Sequence, residues 1–300
     1  MTATTHDETP GGQAGAPLRP DLATEPASRR ARVRRTALIG AIILGVLVLL
    51  AVLAPLLATH DPEAVDAQRI LGAPSASHPF GSDVLGRDVF SRVLYGLRVS
   101  LLVAVSSVLI SSAVAIPLGA VSGYFGGWVD TLISRPMDML LVLPALLLAV
   151  SLIAIVGPGS VVATLAIAVI YLPILTRVMR GSALSVAGLA YVEGAGARGA
   201  GHAKVIAGHV IPNAIGPVVV QASILAGFAL QIEAALSFLG LGTQPPTPSL
   251  GGMLADGRDV LSQAPWVEIF PGSAIAVAVL SFTLIGDGLR TRFDRAGRAR

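Results

Sequence analysis

The sequence predicts an all-α integral membrane protein with six transmembrane helices. Of its 300 residues, 53% are hydrophobic and only 13% are charged, and the mean hydropathy is +0.75. A soluble domain carries about 25% charged residues. Apolar runs recur along the chain, and about 20 apolar residues cross a hydrocarbon core of about 30 Å as a helix. The predicted spans are 38–57, 100–120, 137–156, 161–177, 213–236 and 270–285.

The first apolar run, 38–57, is predicted to be a retained transmembrane helix. Residues 1–28 lack the apolar periodicity needed to bury a core, so we expect a disordered cytoplasmic tail there. A secretory signal peptide is the alternative interpretation. It is disfavoured because the run exceeds the usual 7 to 15 apolar residues, begins nearly forty residues into the chain and has no clear cleavage site.

The distribution of arginine predicts which side of the membrane each end occupies. An even number of spans places both termini on one side, and arginines crowd both ends of the chain, at 29–35 and 290–300. Basic residues mark the cytoplasmic side. The connection between the fourth and fifth spans demands the same side independently, through Arg177, Arg180, Arg198 and Lys204. We therefore expect both termini in the cytoplasm and the polar loop 60–95 outside.

The longest moderately polar segment between two strongly apolar ones is 191–213, YVEGAGARGAGHAKVIAGHVIPN. It resembles the "EAA" motif of bacterial ABC-importer permeases, in which Glu-Ala-Ala is followed by three residues, Gly, nine residues and Ile-x-Leu-Pro. Some positions match the motif and others replace its residues. The matches are Glu193, Ala195, Gly199 and Pro212, and the replacements are Gly194 for Ala, His209 for Ile and Ile211 for Leu.

Three further strings resemble the dipeptide, oligopeptide and nickel branch of these permeases. They are HPFGSDVLGRDVFSRVLYGLRVSL at 78–101, ALSFLGLGTQPPTPSLGGML at 235–254 and FPGSAIAVAVLSFTLIGDGLR at 270–290. The resemblance covers about 29–295 and implies the type I ABC importer (MetI-like) permease fold. It divides the chain into a first helix and loop at 29–96, a permease domain at 97–289 with a coupling segment at 190–212, and a basic cytoplasmic tail at 290–300.

This resemblance implies a permease subunit in the bacterial cell membrane that forms half of a translocation path for peptides, with nickel or another non-peptide solute as the alternative. The implied partners are a second permease, two cytoplasmic ATPases that bind ATP and Mg²⁺, and an extracytoplasmic solute-binding protein, with no cofactor in this chain. The coupling segment would form two short surface helices, the first docking into an ATPase. The residues implied in coupling are Glu193, Gly194, Ala195, Gly199, Ile211 and Pro212.

Other function classes find little support in the sequence. Residues 194–199 read G-x-G-x-x-G, but a dinucleotide site needs a strand before this turn and an acid about twenty residues on, and neither is present. There is no Walker-type loop, no cysteine and no serine with an adjacent base. A membrane-embedded enzyme would need a polar catalytic dyad within the spans. The terminal arginines indicate topology rather than nucleic-acid binding.

Several polar residues and prolines lie within the apolar spans. Glu233, near Gln231, either lines the outer vestibule of the path or is satisfied by a neighbouring helix, since an ionisable group at membrane depth is costly. Arg135 and Asp138 have the i, i+3 spacing of a structural pair on one helix face.

Two prolines lie inside predicted spans, and one loop is predicted to contain a helix. Pro144 and Pro173 are expected to kink their spans. Such kinks are tolerated because neighbouring helices and water can satisfy the freed carbonyls. The loop 60–95 is expected to contain an amphipathic helix whose apolar face carries Val84, Phe90, Val93 and Leu97.

Overall fold

The computed structural model describes the backbone of residues 27–298 and the side chains of residues 35–291. The predicted disordered tail, 1–28, lies almost entirely outside this range. Within it the chain is helical, with a single isolated antiparallel bridge between Ser82 and Asp88. The helices are α1 (Ala27–Val52), α2 (Ala54–Leu57), α3 (Val89–Phe125), α4 (Gly127–Val142), α5 (Ala145–Val156), α6 (Ser160–Ala187), α7 (Ala190–Ala197), α8 (His202–Val205), α9 (Ile211–Phe238), α10 (Leu250–Gly257) and α11 (Trp266–Arg298).

Five helical stretches are long and apolar enough to span a membrane, and the pair α4–α5 makes a sixth if it is counted as one broken span. The five are Arg35–Val52, Val89–Phe125, Ser160–Ala187, His202–Phe238 and Trp266–Thr291. All of them overlap the predicted apolar runs, which confirms the all-α membrane fold. Most helices extend past their runs, because their ends carry polar residues that hydropathy alone does not count as helix.

The predicted third span, 137–156, is not one kinked helix. α4 ends at Val142, α5 begins at Ala145, and their axes differ by 96°. Leu143 between them is extended, with φ −82° and ψ 133°, as expected for a residue that precedes proline. Pro144 therefore separates two helices, and the prediction that it kinks a continuous span was wrong. Pro173 does lie inside α6.

α3 begins earlier than predicted, at Val89, inside the segment assigned to the loop 60–95. The Asp88 carboxylate caps it by accepting from the backbone N–H of Ser91 at 2.9 Å. Val93 and Leu97 are buried and the half-buried Phe90 packs edge-on against Phe80, but Val84 lies before the helix starts. The predicted apolar face is therefore correct for its three helical members and wrong for Val84.

α3 and α6 form the centre of the bundle and approach closely at two glycines of α3. A Cβ added at Gly119 would lie 2.6 Å from the Thr176 carbonyl oxygen, and one at Gly123 would lie 2.5 Å from the Arg180 carbonyl oxygen. Glycines four residues apart allow helix backbones to meet in a membrane. This Gly-x-x-x-Gly spacing is visible in the sequence, but no close helix contact was predicted from it.

The remaining spans surround this centre. α9 packs against α3, α6 and α11, and α1 packs against α11. Gly40 on α1 lies against Leu284, where an added Cβ would be 2.7 Å from the leucine Cβ, and Gly227 on α9 lies against Phe282. The opposite face of α1 exposes large apolar side chains, among them Ile42 and Leu49, as a lipid-facing helix should.

Candidate functional site

The predicted coupling segment, 190–212, begins with α7, whose two faces differ. Val192 and Ala195 are buried, each with 3% of its surface exposed, and hold the helix against the bundle. Glu193 and Gly199 are exposed. The Glu193 carboxylate therefore stands on the outer face of a helix whose inner face is packed.

Gly199 ends the turn after α7 in a left-handed conformation, with φ +84°. An added Cβ would meet no atom of this chain within 4 Å. The glycine is therefore required by the backbone conformation, which L side chains rarely adopt, and not by a close approach within the chain.

The second short helix of the segment is not separate from the fifth span. α8 runs through a π turn at Ile206–Val210 directly into α9, so His202–Phe238 is one continuous helical path. Ile211 and Pro212 occupy the first turn of α9. Proline has no N–H for the preceding turn and its ring crowds the carbonyl four residues earlier. The widened turn just upstream of Pro212 accommodates both effects.

The segment is attached to the end of α3 by an aromatic contact. The hydroxyl of Tyr124 lies 3.0 Å from Nδ1 of His202, and the ring of Phe125 lies 5.3 Å from the His202 ring between centroids. Val205 and Val210 are completely buried below this contact. α8 is thereby held to two helices, α3 through His202 and α9 through the continuous backbone.

A layer of charged residues joins α4 to α6. Arg180 donates from Nε and Nη2 to the two carboxylate oxygens of Asp130, which also accepts from the hydroxyls of Ser122 and Ser134. Nearby, Arg177 Nη2 lies 2.7 Å from Asp138 Oδ1. The two arginines, Asp138 and Ser134 line a cavity of about 240 Å³.

The predicted Arg135–Asp138 pair is replaced by this contact, since Asp138 binds Arg177 on another helix. Partner choice here is set by the packing of α4 on α6, which brings residues 39 positions apart in sequence within hydrogen-bonding distance. Sequence reasoning also missed Asp130. The available signal was an acidic residue a few positions before the predicted span 137–156.

Another charged cluster lies at the opposite end of α3. Arg87 Nε is 2.7 Å from Asp83 and its Nη2 is 3.0 Å from Asp256 of α10, while Arg92 Nε is 3.4 Å from Asp83. Asp83, Arg87 and Arg92 are all buried. The cluster fastens the loop before α3 to α10, and three of its members, Asp83, Arg87 and Arg92, lie within the 78–101 string that resembles the permease branch.

Glu233 and Gln231 occupy different environments. Glu233 has 1% of its surface exposed, and its Oε1 accepts from the Ser237 hydroxyl at 2.8 Å. Its Oε2 and the buried Ser100 hydroxyl on α3, which faces the carboxylate, have no hydrogen-bond partner among the described residues. Gln231 is exposed. The carboxylate is thus enclosed by side chains of its own chain, and its place on the translocation path stays a prediction.

The sequence of this chain matches two family models. Residues 115–298 match the binding-protein-dependent transport system inner membrane component, and residues 26–74 match the N-terminal transmembrane domain of oligopeptide transport permease C. The first match covers more than half of the chain. This chain belongs to the binding-protein-dependent transport permeases. The oligopeptide permease C model matches the N-terminal part of the permease, and the inner membrane component model matches the part from within α3 to the end of α11.

Curated relatives of the permease are similar over most of their length. It is 40% identical over 268 residues to the dipeptide transport system permease protein DppC of Alkalihalophilus pseudofirmus, covering 89% of this chain and 88% of the relative. It is 41% identical over 254 residues to the probable D,D-dipeptide transport system permease protein DdpC of Escherichia coli, covering 85% of each. It is 39% identical over 267 residues to the glutathione transport system permease protein GsiD of Pectobacterium atrosepticum, covering 89% of each.

Proposed function

We propose that this permease is one of two membrane subunits of an ATP-driven peptide importer and that its 190–212 segment receives the motion of a cytoplasmic ATPase. The observation that carries the proposal is the exposure of Glu193 on α7, a helix otherwise fixed by the buried Val192 and Ala195. A packed helix with an unburied carboxylate suits docking to a basic groove of a separate subunit.

The connections of the segment support transmission of that motion into the membrane. α8 continues through the π turn into α9, and α9 packs against both α3 and α6. The Tyr124–His202 contact adds a direct link to the end of α3. A displacement of α7 and α8 would therefore move α9 and α3 together, as rigid-body gating of a path requires.

The proposed solute is a peptide, and the supporting observation is the naming of the relatives. Those described above are named for dipeptides, D,D-dipeptides and glutathione, which disfavours the nickel alternative. The further partners proposed are a second permease, two ATPases that bind ATP and Mg²⁺, and an extracytoplasmic binding protein. Both termini and the 190–212 segment are assigned to the cytoplasm on the arginine distribution.

Co-purification of the ATPase subunits with single variants tests the coupling role. Glu193→Ala is expected to weaken ATPase association, because removing one member of a charged interface pair costs about 2 to 5 kcal/mol. Its matched control is Asp259→Ala, another exposed acid, which lies in the loop before α11. Solute-stimulated ATP hydrolysis and dipeptide uptake, with the binding protein in proteoliposomes, are measured alongside.

The left-handed conformation of Gly199 allows a second test of the coupling role. Gly199→Ala is expected to impair coupling, since a left-handed residue with a Cβ costs about 1 to 2 kcal/mol, and Gly199→Asn should impair it less because Asn tolerates this region. Gly196→Ala, at an exposed glycine inside α7 with open space around it, is the control. Full ATPase retention, hydrolysis and uptake in both Glu193→Ala and Gly199→Ala would rule out the segment as the coupling element.

A further inference from the structure

Three metal-binding side chains converge at the end of the bundle where α3 begins. His60 follows α2, His78 lies in the loop before α3, and Asp88 caps α3. One donor atom of each, an imidazole nitrogen or a carboxylate oxygen, lies within 4.8 Å of the other two. His78 and Asp88 are buried, with 8% and 2% of their surfaces exposed, while His60 is exposed.

Only one oxygen of the Asp88 carboxylate has hydrogen-bond partners among the described residues. Its Oδ2 accepts from the Ser91 backbone N–H at 2.9 Å, the Ser91 hydroxyl at 2.6 Å and the Thr59 hydroxyl at 3.0 Å. Its Oδ1 is buried and has no hydrogen-bond partner among the described residues. A buried anionic oxygen without a partner is costly, so the atom calls for a cation or another donor that the described side chains do not supply.

The two imidazoles are arranged beside this carboxylate. The His60 and His78 rings stack with centroids 4.3 Å apart and planes inclined by 16°. Neutral imidazole is the form that binds metal ions.

The hydrogen bonds of His78 leave one ring nitrogen for a ligand. Its Nδ1 lies 2.9 Å from Arg69 Nη1 and 3.1 Å from Ser77 Oγ. Because arginine only donates, Nδ1 accepts in this arrangement and the proton is on Nε2. Coordination at Nε2 would require that proton to shift to Nδ1, from which it could be donated to Ser77 Oγ. The half-exposed Arg69 side chain would then have to leave Nδ1.

We propose that His60, His78 and Asp88 form a binding site for a divalent first-row transition metal, with Zn²⁺ as the best fit. Two imidazole nitrogens and one carboxylate oxygen are a ligand set that Zn²⁺ accepts, with water at the fourth position. Bond lengths of about 2.0 to 2.2 Å require donors to lie about 3 to 3.5 Å apart, so the exposed His60 ring would have to rotate out of its stack on His78 when the ion binds.

A cavity beside His60 gives an ion access to the site, and a bound ion would strengthen the link between two parts of the chain. His60 lines a cavity of about 570 Å³ that also contains Asp61 and Glu63, whose carboxylates attract cations. Three hydrogen bonds already join this region to the start of α3. They run from Thr59 Oγ1 to Asp88, from the His60 backbone N–H to Ser91 Oγ at 3.2 Å, and from Arg92 Nη1 to the Pro62 carbonyl oxygen at 3.0 Å. A bound ion adds a further connection between the chain after α2 and the first turn of α3.

Zinc binding to the full-length chain tests the site. The protein is purified in detergent through a tag without histidine, stripped with chelator and titrated with Zn²⁺, and bound metal is counted by mass spectrometry. Cobalt substitution adds an absorption spectrum that reports imidazole coordination. The chain has no cysteine, so thiolate sites do not compete.

Three variants define the expected result. His60→Ala, at an exposed position, and Asp88→Asn, which retains a capping oxygen, should each weaken Zn²⁺ binding by more than about tenfold, since even changes to groups that only support a ligand cost about 10- to 100-fold. His209→Ala, in the π turn at the other end of the bundle, should bind one ion per chain as wild type does. A wild-type chain that binds no stoichiometric Zn²⁺, or a His60→Ala variant that binds as tightly as His209→Ala, would overturn the proposal.

Discussion

Arg180 of α6 binds Asp130 of α4 through two parallel N–H donors, one to each carboxylate oxygen. Asp130 also accepts from Ser122 of α3 and Ser134 of α4. One carboxylate therefore joins three helices at the end of α6 that leads into α7. Paired donors of this kind are stronger than single hydrogen bonds because their geometry matches the carboxylate.

Breaking the Asp130–Arg180 pair should destabilise the permease measurably. We expect a coupling free energy of about 1 to 3 kcal/mol from a double-mutant cycle of Asp130→Asn and Arg180→Gln, because the pair is partly buried and charge-assisted. Thermal unfolding in detergent, followed by tryptophan fluorescence, measures it. The Asp138–Arg177 pair is the control. Its side chains are 54% and 63% exposed, so its coupling should stay below about 1 kcal/mol, and equal values for the two pairs would contradict this ranking.

The close approach of α3 to α6 predicts that neither Gly119 nor Gly123 tolerates alanine. Each added Cβ would lie 2.5 to 2.6 Å from a carbonyl oxygen of α6, and such overpacking costs about 1 to 3 kcal/mol. Gly181→Ala, on α6 with no atom within 4 Å, is the matched control and should be neutral or stabilising by up to about 1 kcal/mol. Unfolding midpoints of the three variants decide it. A Gly123→Ala protein as stable as Gly181→Ala would mean that the helices do not meet there.

Glu233→Gln should leave folding and assembly intact. The amide oxygen can still accept from Ser237, and the amide nitrogen can donate to the Ser100 hydroxyl, which lacks a partner among the described residues. Glu233→Ala should cost about 1 to 3 kcal/mol, since the buried Ser237 hydroxyl loses its acceptor. Gln231→Ala, at an exposed site, should not change stability. Assembly, unfolding midpoint and dipeptide uptake are compared. Loss of uptake by a stable, assembled Glu233→Gln permease would instead place the carboxylate on the translocation path.

The arginine distribution predicts opposite accessibility for two exposed serines. In intact cells, Ser75→Cys should react with a membrane-impermeant thiol reagent and Ser185→Cys should not, because the first lies in the loop assigned to the outside and the second near the cytoplasmic end of α6. The chain has no native cysteine to obscure the signal. Both variants should react after the membrane is opened, which controls for reactivity. Labelling of Ser185→Cys alone in intact cells would reverse the topology.

Much of the fold follows from local sequence. Five of the six predicted apolar runs coincide with helices long enough to span a membrane, because the free energy of placing a segment in lipid depends mainly on its own composition. The Asp88 cap and the helix break at Pro144 also depend on neighbouring residues, although the size of the 96° bend does not. The register of Glu193, Gly199 and Pro212 predicts a coupling segment at 190–212, and this role stays a prediction. The register did not indicate that α8 continues into α9.

The candidate sites depended on contacts between distant parts of the chain. Asp138 has Arg135 within reach on its own helix and binds Arg177, and Glu233 is enclosed between its own helix and Ser100 of α3. His60, His78 and Asp88 come together only because the loop folds back onto the start of α3. The sequence by itself determined which segments enter the membrane, since that energy is summed along each segment. Only the tertiary structure decided which polar groups meet, because burial and pairing depend on atoms contributed by other helices.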